Sequence, residues 1–565
     1  MAEAPSPPAG FRGTFRTDGP ARAVYAEAAG IAHELPLAVA VPADADDVVA
    51  LVRWAAATRT PLVPRGSGTS MAGGAVGPGV VVDLGRLDTL GAVDVERRRV
   101  VVGPGVTRAA VERAASAAGL RFPVDPSSGA YCTVGGMAGT NAAGAHTLRY
   151  GATRPWVQAL ECVFADGTRA WLRRGEPPPA RLPVVTRVLD VTPRWRDAAA
   201  RGLPRHPVVR KDTSGYALAE YLASGELVDL LVGSEGTLAL FVGLELRLAP
   251  RPAATSSLLA AFPTLEQATD AAARARELGA SACELLDRTF LDVAASGGAA
   301  DVPAGSEAVL LAEVEGDAPD GAAALAGRVS DAFRAAGATE VRLALDARTE
   351  TVLWELRHRA SPTIARLHPE LRSMQFIEDG AVPPAQLPAY VRGVREALAR
   401  HGVRGVIFGH AGDAHVHVNP LVDVQGPAWR RQVAGILDDV TALTERLGGT
   451  MAGEHGDGRL RTPLLPRLRG RETMALYAEV KAAFDPAGIL NPGVKVPLPD
   501  QTPLGAIKYD PALPPLPTSA RRVLDHVTRE RAYATHRLDL LARADALDAP
   551  APVAAASDVE GETEG

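Results

Sequence analysis

The chain has 565 residues, of which 47% are hydrophobic and 22% are charged. At about 150 residues per domain, this length predicts two to four domains, each with its own core. The 60 Lys and Arg residues against 66 Asp and Glu residues give a net charge of −6, which excludes a broadly basic nucleic-acid-binding surface. Three cysteines, Cys132, Cys162 and Cys283, cannot ligate a four-cysteine iron–sulfur cluster within this chain.

The sequence predicts no targeting or membrane-spanning segment. The first residues lack a charged stretch followed by an apolar one, so we expect no signal peptide. No apolar run reaches the roughly 18 residues that a membrane-spanning helix needs. Together with the low cysteine content, this favours a reducing, cytoplasmic location.

The first half of the chain predicts an α+β domain over residues 35–250, after an arm at residues 1–34. The first 30 residues are rich in Pro, Gly and Ala, and we expect them to be poorly ordered with one helical turn at most. Hydrophobic periodicity predicts strands at 38–42, 61–66, 79–85 and 97–106, helices at 44–58 and 106–119, a hairpin at 159–172 and two strands around Gly233–Thr237 within 227–250.

A second α+β domain is predicted over residues 251–495. Its pattern alternates helices at 264–279 and 321–337 with strands at 308–316 and 339–345, which indicates a ferredoxin-like unit. Residues 403–422 predict a strand, a turn and a strand. Residues 496–565 form a Pro-rich extension with one helix at 520–545 and an acidic tail expected to be disordered.

Three glycine-rich segments are candidate ligand loops: PRGSGTS (64–70), PSSGAYCTVGGMAGTNAAGAHTLRYG (126–151) and GSEGT (233–237). Successive backbone amides in such a turn suit an anion, above all a pyrophosphate. The first segment is neither the dinucleotide fingerprint nor a P-loop, and on its own it is equally typical of a turn that ends a strand.

A histidine cluster is the candidate metal site. His410, His415 and His417 lie within eight residues, which suits a borderline metal such as Zn²⁺, and spacing alone favours His415 and His417. The alternative is that these histidines form the polar edge of a strand and bind no metal. His455 follows Glu454 in a glycine-rich loop, where it is either a general base or a packing residue.

Six motifs in order resemble a known family. PRGSGTS, the segment from DPSS to LRYG, and LVGSEGTLAL are similar to the FAD-binding domain of the vanillyl-alcohol-oxidase, or PCMH-type, flavoproteins. FGHAGDAHVHVN (408–419), GEHGDGR (453–459) and FDPAGILNPG (484–493) resemble the C-terminal domain of FAD-linked oxidases. The resemblance covers residues 35–495 and points to the D-lactate, glycolate and D-2-hydroxyglutarate dehydrogenase branch.

The resemblance implies an FAD site in the N-terminal domain, to which residues 484–495 return. The implied cofactor-binding residues are Arg65, Gly66, Ser67, Gly68, Thr69, Ser70, Pro126, Ser127, Gly135, Gly136, Gly139, Thr140, Asn141, Gly144, Glu235, Gly236 and Asn491. Many members attach FAD to a histidine where this chain has Thr69, so we expect non-covalent FAD. Cys132 is interpreted as a packing residue.

The resemblance also implies a metal and a substrate site. The family pattern selects His410, His417 and Glu454 as ligands of a divalent metal, with zinc expected, and His455 as the base. His415 stands where the family has Asn, and Ala414 where it has Gly. The substrate residues that the resemblance implies are Arg357 and Asn419. Ile377 occupies the position of a lysine of the 2-hydroxyglutarate enzymes, for which Arg372 is the candidate substitute.

The expected activity is oxidation of a D-2-hydroxy acid to the 2-keto acid, with hydride transfer to flavin N5 assisted by the metal and a histidine. A separate acceptor would take the electrons: a quinone, an iron–sulfur protein or an electron-transfer flavoprotein. A homodimer and a peripheral membrane association are further expectations. The alternatives are a non-catalytic flavin-binding subunit of a larger redox complex and a zinc hydrolase, which leaves the glycine-rich loops unexplained.

Overall fold

The computed structural model describes residues 5–204, 206–296, 303, 305–364 and 370–547. The first unit is a sheet in the order β1-β2-β4-β3, in which β2, β4 and β3 run parallel and β1 pairs antiparallel with β2. Its elements are β1 (Thr14–Arg16), α1 (Gly19–Ala23), β2 (Ala38–Val41), α2 (Ala45–Thr58), β3 (Leu62–Arg65) and β4 (Val80–Asp83). Asp44 caps α2 by accepting the amides of Asp46 and Asp47.

The second unit is an antiparallel sheet in the order β5-β9-β7-β8, which packs against helices of the same unit. Its elements are β5 (Arg99–Val102), α3 (Arg108–Ala117), β6 (Leu120–Arg121), α4 (Val134–Thr140), α5 (Thr147–Tyr150), β7 (Val157–Val163), β8 (Arg169–Arg173), α6 (Pro183–Ala200), α7 (Leu218–Ser224), α8 (Leu227–Leu231), β9 (Leu240–Arg247) and β10 (Ala249–Pro250). The glycine-rich segments connect the elements of these two units.

The third unit, here called the cap, contains a sheet in the order β14-β11-β13-β12-β17-β18-β15, with β16 paired to β18. Its elements are β11 (Ala254–Phe262), α9 (Leu265–Glu277), β12 (Ala282–Asp287), α10 (Arg288–Ser296), β13 (Ala308–Gly316), α11 (Pro319–Ala335), β14 (Glu340–Ala344), α12 (Ala347–Ile364), β15 (Leu371–Ser373), β16 (Gly380–Ala381), α13 (Leu387–Arg400), β17 (Arg404–Gly409), β18 (His415–Asp423) and α14 (Trp429–Arg446). Its first four strands form the predicted βαββαβ arrangement.

The remaining helices return to the first two units. They are α15 (Gly458–Arg461), α16 (Leu465–Arg469), α17 (Arg471–Phe484), α18 (Thr518–Glu530) and α19 (Arg537–Ala542). After α17 the chain pairs with β3, where the Asn491 amide donates to the Leu62 carbonyl at 2.8 Å. No helix among the described residues is long and apolar enough to cross a membrane.

The structure corrects three predictions. The arm is not poorly ordered, since β1 pairs with β2 and Tyr25 is fully buried. Residues 227–231 form a helix rather than a strand. All five residues are buried, Asp229 included, and a buried segment this short has no period that separates the two structures. The helix predicted at 520–545 ends at Glu530, and residues 548–565 lie outside the described part of the chain.

Candidate functional site

A cavity of about 1010 Å³ lies where the first two units, the cap and the C-terminal extension meet. All three glycine-rich segments border it, and so do cap residues on β15, β17 and β18. The predicted cofactor residues on its wall are Arg65, Gly66, Ser67, Gly68, Thr69, Ser70, Pro126, Ser127, Gly135, Gly136, Gly139, Thr140, Glu235 and Gly236. The structure therefore gathers residues that are up to 171 positions apart, from Arg65 to Gly236, around one space.

Three predicted cofactor residues lie behind this wall instead of on it. Asn141 ends α4 with a left-handed backbone, and its side-chain oxygen accepts the Arg154 amide at 2.8 Å. The Gly144 carbonyl accepts from Lys211 Nζ at 3.1 Å. Asn491 Nδ2 donates to the carbonyls of Gly74 and Glu235. These contacts hold the loops in place, and the predicted contact of the three residues with the cofactor stays a prediction.

In the first two glycine-rich loops, the backbone itself borders the cavity. A Cβ on Gly66 would lie 2.2 Å from Thr133 Oγ1, so only glycine lets the first loop meet the start of α4. Thr133 in turn caps α4 by accepting the Gly136 amide. The two loops form a cradle of small residues and amides that suits an anionic, flat ligand such as FAD.

The side chain of Arg65 is committed to the fold. Its guanidinium donates to the carbonyls of Tyr25, Glu27 and Ala75 and lies over the Tyr25 ring. The Arg65 side chain is buried and turned toward the N-terminal segment. The predicted contact with the pyrophosphate can therefore come only from the backbone of Arg65.

The third loop is tied to the returning segment by a buried charge network. The Glu235 carboxylate accepts the amides of Asp457 and Gly458 and pairs with Lys495 Nζ at 2.9 Å. Lys495 also contacts Asp457 at 3.0 Å. These contacts fix the loop that carries Glu454 and His455 against the cofactor loops.

The His–Glu cluster lies at the cap side of the cavity. Glu454 Oε1 is 3.3 Å from Nε2 of both His410 and His417. The Nδ1 of His417 donates to the Glu378 carbonyl, and the Nδ1 of His410 contacts Glu284 at 2.5 Å. Because outer partners hold both Nδ1 atoms, both Nε2 atoms face the carboxylate, as a His₂–Glu metal site requires.

His415 belongs to the same cluster but is oriented differently. One ring nitrogen lies within 4.8 Å of the ligand atoms of His410, His417 and Glu454. Its Nε2 contacts Asp379 at 2.8 Å, and its Nδ1 has no hydrogen-bond partner. Burial lowers the pKa of His415 to about 3, so its ring is neutral.

Lys211 is a site residue that the sequence analysis missed. Its Nζ lies 3.1 Å from Glu454 Oε2 and 3.6 Å from Asp413 Oδ2. Burial opposes its charge, but the Glu454 and Asp413 carboxylates outweigh burial and raise its pKa. Lys211 precedes α7 in a segment without a motif, so only the fold reveals its contact with the cap.

His455 stacks on His417 at 5.2 Å and is the more exposed of the two rings. Its Nδ1 is 3.1 Å from Glu378 Oε2, and its Nε2 is 3.5 Å from Glu454 Oε1. Burial disfavours its charge, yet Glu378 and Asp379 raise its pKa to about 10. A divalent cation beside it would act in the opposite direction.

The predicted substrate residues lie on the same wall. Arg357 donates to Glu284 at 3.1 Å and lies over the Phe408 ring, while Arg372 on β15 lies over the Tyr509 ring. Asn419 on β18 completes the set. Besides Lys211, the sequence analysis missed Glu284, Glu378, Asp379 and Arg461, which surround the histidines as buried ion pairs.

Comparisons with known proteins agree with this arrangement. The family described as "FAD binding domain" matches residues 36–173, and "FAD linked oxidases, C-terminal domain" matches residues 251–494. A D-lactate dehydrogenase of Archaeoglobus fulgidus is 31% identical over 80% of this chain and 90% of its own length. The chain belongs to the FAD-linked oxidases. The family resemblance drawn from the motifs is confirmed.

Two other relatives belong to the same group of glycolate, D-lactate and D-2-hydroxyglutarate oxidoreductases. A glycolate oxidase subunit GlcD of Bacillus subtilis is 28% identical over 82% of this chain and 89% of its own. A D-2-hydroxyglutarate dehydrogenase of Pseudomonas putida is 31% identical over 86% of this chain and half of its own. The protein is an FAD-linked oxidoreductase of this group.

The fold is shared with more distant flavoproteins. A 4-ethylphenol oxidase of Gulosibacter chungangensis superposes with a TM-score of 0.65 at 16% identity, covering 86% of this chain and 94% of its own. A p-cresol methylhydroxylase superposes at 0.60 with the same coverage and 13% identity. The predicted α+β, PCMH-type fold class is confirmed.

Lys211→Met tests the charge network beneath the cluster. The change leaves Glu454 and Asp413 without their buried cation, so we expect the free energy of unfolding to fall by about 3–5 kcal/mol. Urea unfolding followed by tryptophan fluorescence measures it. The control Arg467→Met breaks an exposed pair with Glu445 and should cost less than about 1 kcal/mol. Equal effects of the two changes would contradict this account.

Proposed function

We propose that this FAD-linked oxidase oxidises a D-2-hydroxy acid to the corresponding 2-keto acid. The observation that carries the proposal is the shared cavity: the cofactor loops, the residues His417, Glu454 and His455, and three substrate-side residues border one space. The names of the relatives, which act on D-lactate, glycolate or D-2-hydroxyglutarate, support the substrate class.

The cofactors follow from the residues of this wall. FAD is held non-covalently, because Thr69 offers a hydroxyl and not an imidazole at the family's attachment position. The metal is a divalent ion, zinc by its two-imidazole and carboxylate donors, held by His410, His417 and Glu454. When bound, FAD would supply the hydride acceptor for C2, and a divalent metal held by these residues would favour loss of the C2 hydroxyl proton.

The chain's own residues bind the substrate and remove its proton. Arg357 binds the substrate carboxylate, with Asn419 beside it, and Arg372 recognises a distal polar group. Glu378 holds Nδ1–H of His455, which leaves Nε2 to take the hydroxyl proton. The electrons then pass to a separate acceptor, since the three cysteines are buried and cannot ligate a four-cysteine cluster.

The proposed reaction is tested by anaerobic reduction of the purified flavoprotein. D-lactate, glycolate, D-2-hydroxyglutarate and longer 2-hydroxy acids are added in turn, and the visible absorbance of the oxidised flavin is followed. We expect at least one D-acid to bleach the flavin and its L-enantiomer to do so far more slowly. A flavin that no 2-hydroxy acid bleaches would favour the non-catalytic flavin-binding subunit.

The ligand assignment predicts which changes remove the metal. His410→Ala and His417→Ala should each lower the zinc affinity by more than about 100-fold, because loss of an outer-sphere partner alone costs about 10–100-fold. His415→Asn should keep zinc, since His415 is held by Asp379 and not by Glu454. Elemental analysis of the dialysed proteins measures both, with FAD content as the control. Zinc lost in His415→Asn and kept in His410→Ala would overturn the assignment.

The proposed base predicts a kinetic signature. His455→Ala should lower kcat and kcat/KM together by roughly 10²–10⁴-fold, because hydride leaves C2 only as the hydroxyl proton departs. Zinc and FAD contents should stay unchanged. His401→Ala, at a histidine paired with Asp439 away from the cavity, is the matched control. A His455→Ala enzyme with the unmodified rate would exclude His455 as the base.

A further inference from the structure

The C-terminal extension is a fixed part of the cofactor-binding unit. Residues Val39, Val63 and Val81 of the first sheet are fully buried, and they pack in one cluster with Val523 and Val527 of α18. The helix α2 covers the opposite face of the same sheet. The extension lies beyond residue 494, where the match to the oxidase family ends, yet the sheet depends on it for one of its two cores.

The turn after α18 carries the chain to the first glycine-rich loop. Arg531 ends the helix in a left-handed conformation with φ of 54°, which reverses the chain direction. Arg537 then fixes the turn: its guanidinium donates to the carbonyls of Ala532 and Thr535 and to that of Ser67 at 3.2 Å. The turn is thereby held against the backbone of the loop Gly66–Ser70.

Two side chains of this turn form part of the cavity wall. Arg531 and Tyr533 border the cavity together with Tyr131 of the second loop. The Arg531 guanidinium lies 5.2 Å from the centroid of the Tyr131 ring, and the Tyr131 and Tyr533 rings are 6.4 Å apart. A cation and two phenol rings thus face the space between the first two loops.

The other nearby cations are held by partners within the fold. Lys508 donates to the carbonyls of Ala28 and Ala29. Arg521 pairs with Glu27, and Arg529 pairs with Glu530.

The first loop brings no free cation of its own. Gly66–Ser70 contains no basic residue, and the Arg65 guanidinium is bound to backbone carbonyls. Arg531 makes no ion pair with any acidic side chain in the described part of the chain, so its guanidinium is available to a bound diphosphate.

We propose that Arg531 and Tyr533 of the C-terminal extension bind the adenosine diphosphate half of FAD, so that this chain completes its cofactor site with its own C-terminal helices. Arg531 neutralises diphosphate charge and Tyr533 offers its ring to the adenosine. The proposal rests on the assignment of Gly66–Ser70 to the pyrophosphate of FAD.

Flavin titration of the full-length apoprotein tests the proposal. Arg531→Gln removes the charge and keeps a non-glycine residue at the left-handed position, so the backbone strain is unchanged. Arg531→Lys restores a charge, and Arg522→Gln is the matched control on the same helix, where Arg522 pairs with Asp545. Quenching of flavin fluorescence gives the Kd for FAD and for riboflavin, which lacks both phosphates and the adenosine. Thermal unfolding of each apoprotein checks the fold.

We expect Arg531→Gln to weaken FAD binding about tenfold, as loss of a charge-assisted hydrogen bond does, and riboflavin binding less than twofold. Arg531→Lys should recover part of the loss, and Arg522→Gln should bind FAD as the unmodified chain does. Unchanged FAD affinity in Arg531→Gln, or an equal loss for FAD and riboflavin, would overturn the proposal. An unmodified chain that binds no FAD would instead overturn the proposed function.

Discussion

Buried ion pairs link the FAD-binding units to the chain that follows the cap, and they determine the geometry on which the site depends. Lys211 lies before α7, yet its ammonium group contacts Glu454 in the loop that follows the cap helices. Glu235 and Lys495 form a second link, and Asp212 and Arg469 form a third. Removing a buried partner leaves a desolvated charge, so these pairs allow little change in the relative position of the cofactor loops and the histidines. The cavity is therefore pre-formed by these charge pairs, of which Glu235 and Glu454 also border it.

The histidine cluster is likewise held by its surroundings, because neighbouring residues orient each of its rings. Carboxylate or carbonyl oxygens of Glu284, Glu378 and Asp379 hold one nitrogen of each ring, and the free nitrogens of His410 and His417 converge on Glu454. A neutral imidazole donates one proton and accepts one, so fixing the donor also fixes the acceptor. The outer residues thus decide which histidines face Glu454, a role that their sequence spacing does not reveal.

The sequence allowed much of the fold and the main site residues to be predicted, for identifiable reasons. Short strands such as β2 and β4 are bounded by turn residues, and the loops after β3 and before α4 carry motifs that a family shares. Residues that act through long-range contacts outside any motif were missed: Lys211 reaches Glu454 across 243 positions. For Asn141 and Asn491 a motif marks the position without separating loop support from ligand contact, so their contact with the cofactor stays a prediction.

The C-terminal extension shows how a fold requirement and a binding requirement combine. The parallel strands of the first sheet bury apolar side chains on both faces, and such a sheet needs a layer on each side. With α2 on one face, α18 and α19 complete the other, and the turn between them falls beside Gly66–Ser70. In this glycine-rich loop the backbone can approach a ligand closely, but the loop has no charged side chains that could contact the ligand. An element required for packing can therefore supply the missing cation from the adjacent wall, because its position is already fixed by the core.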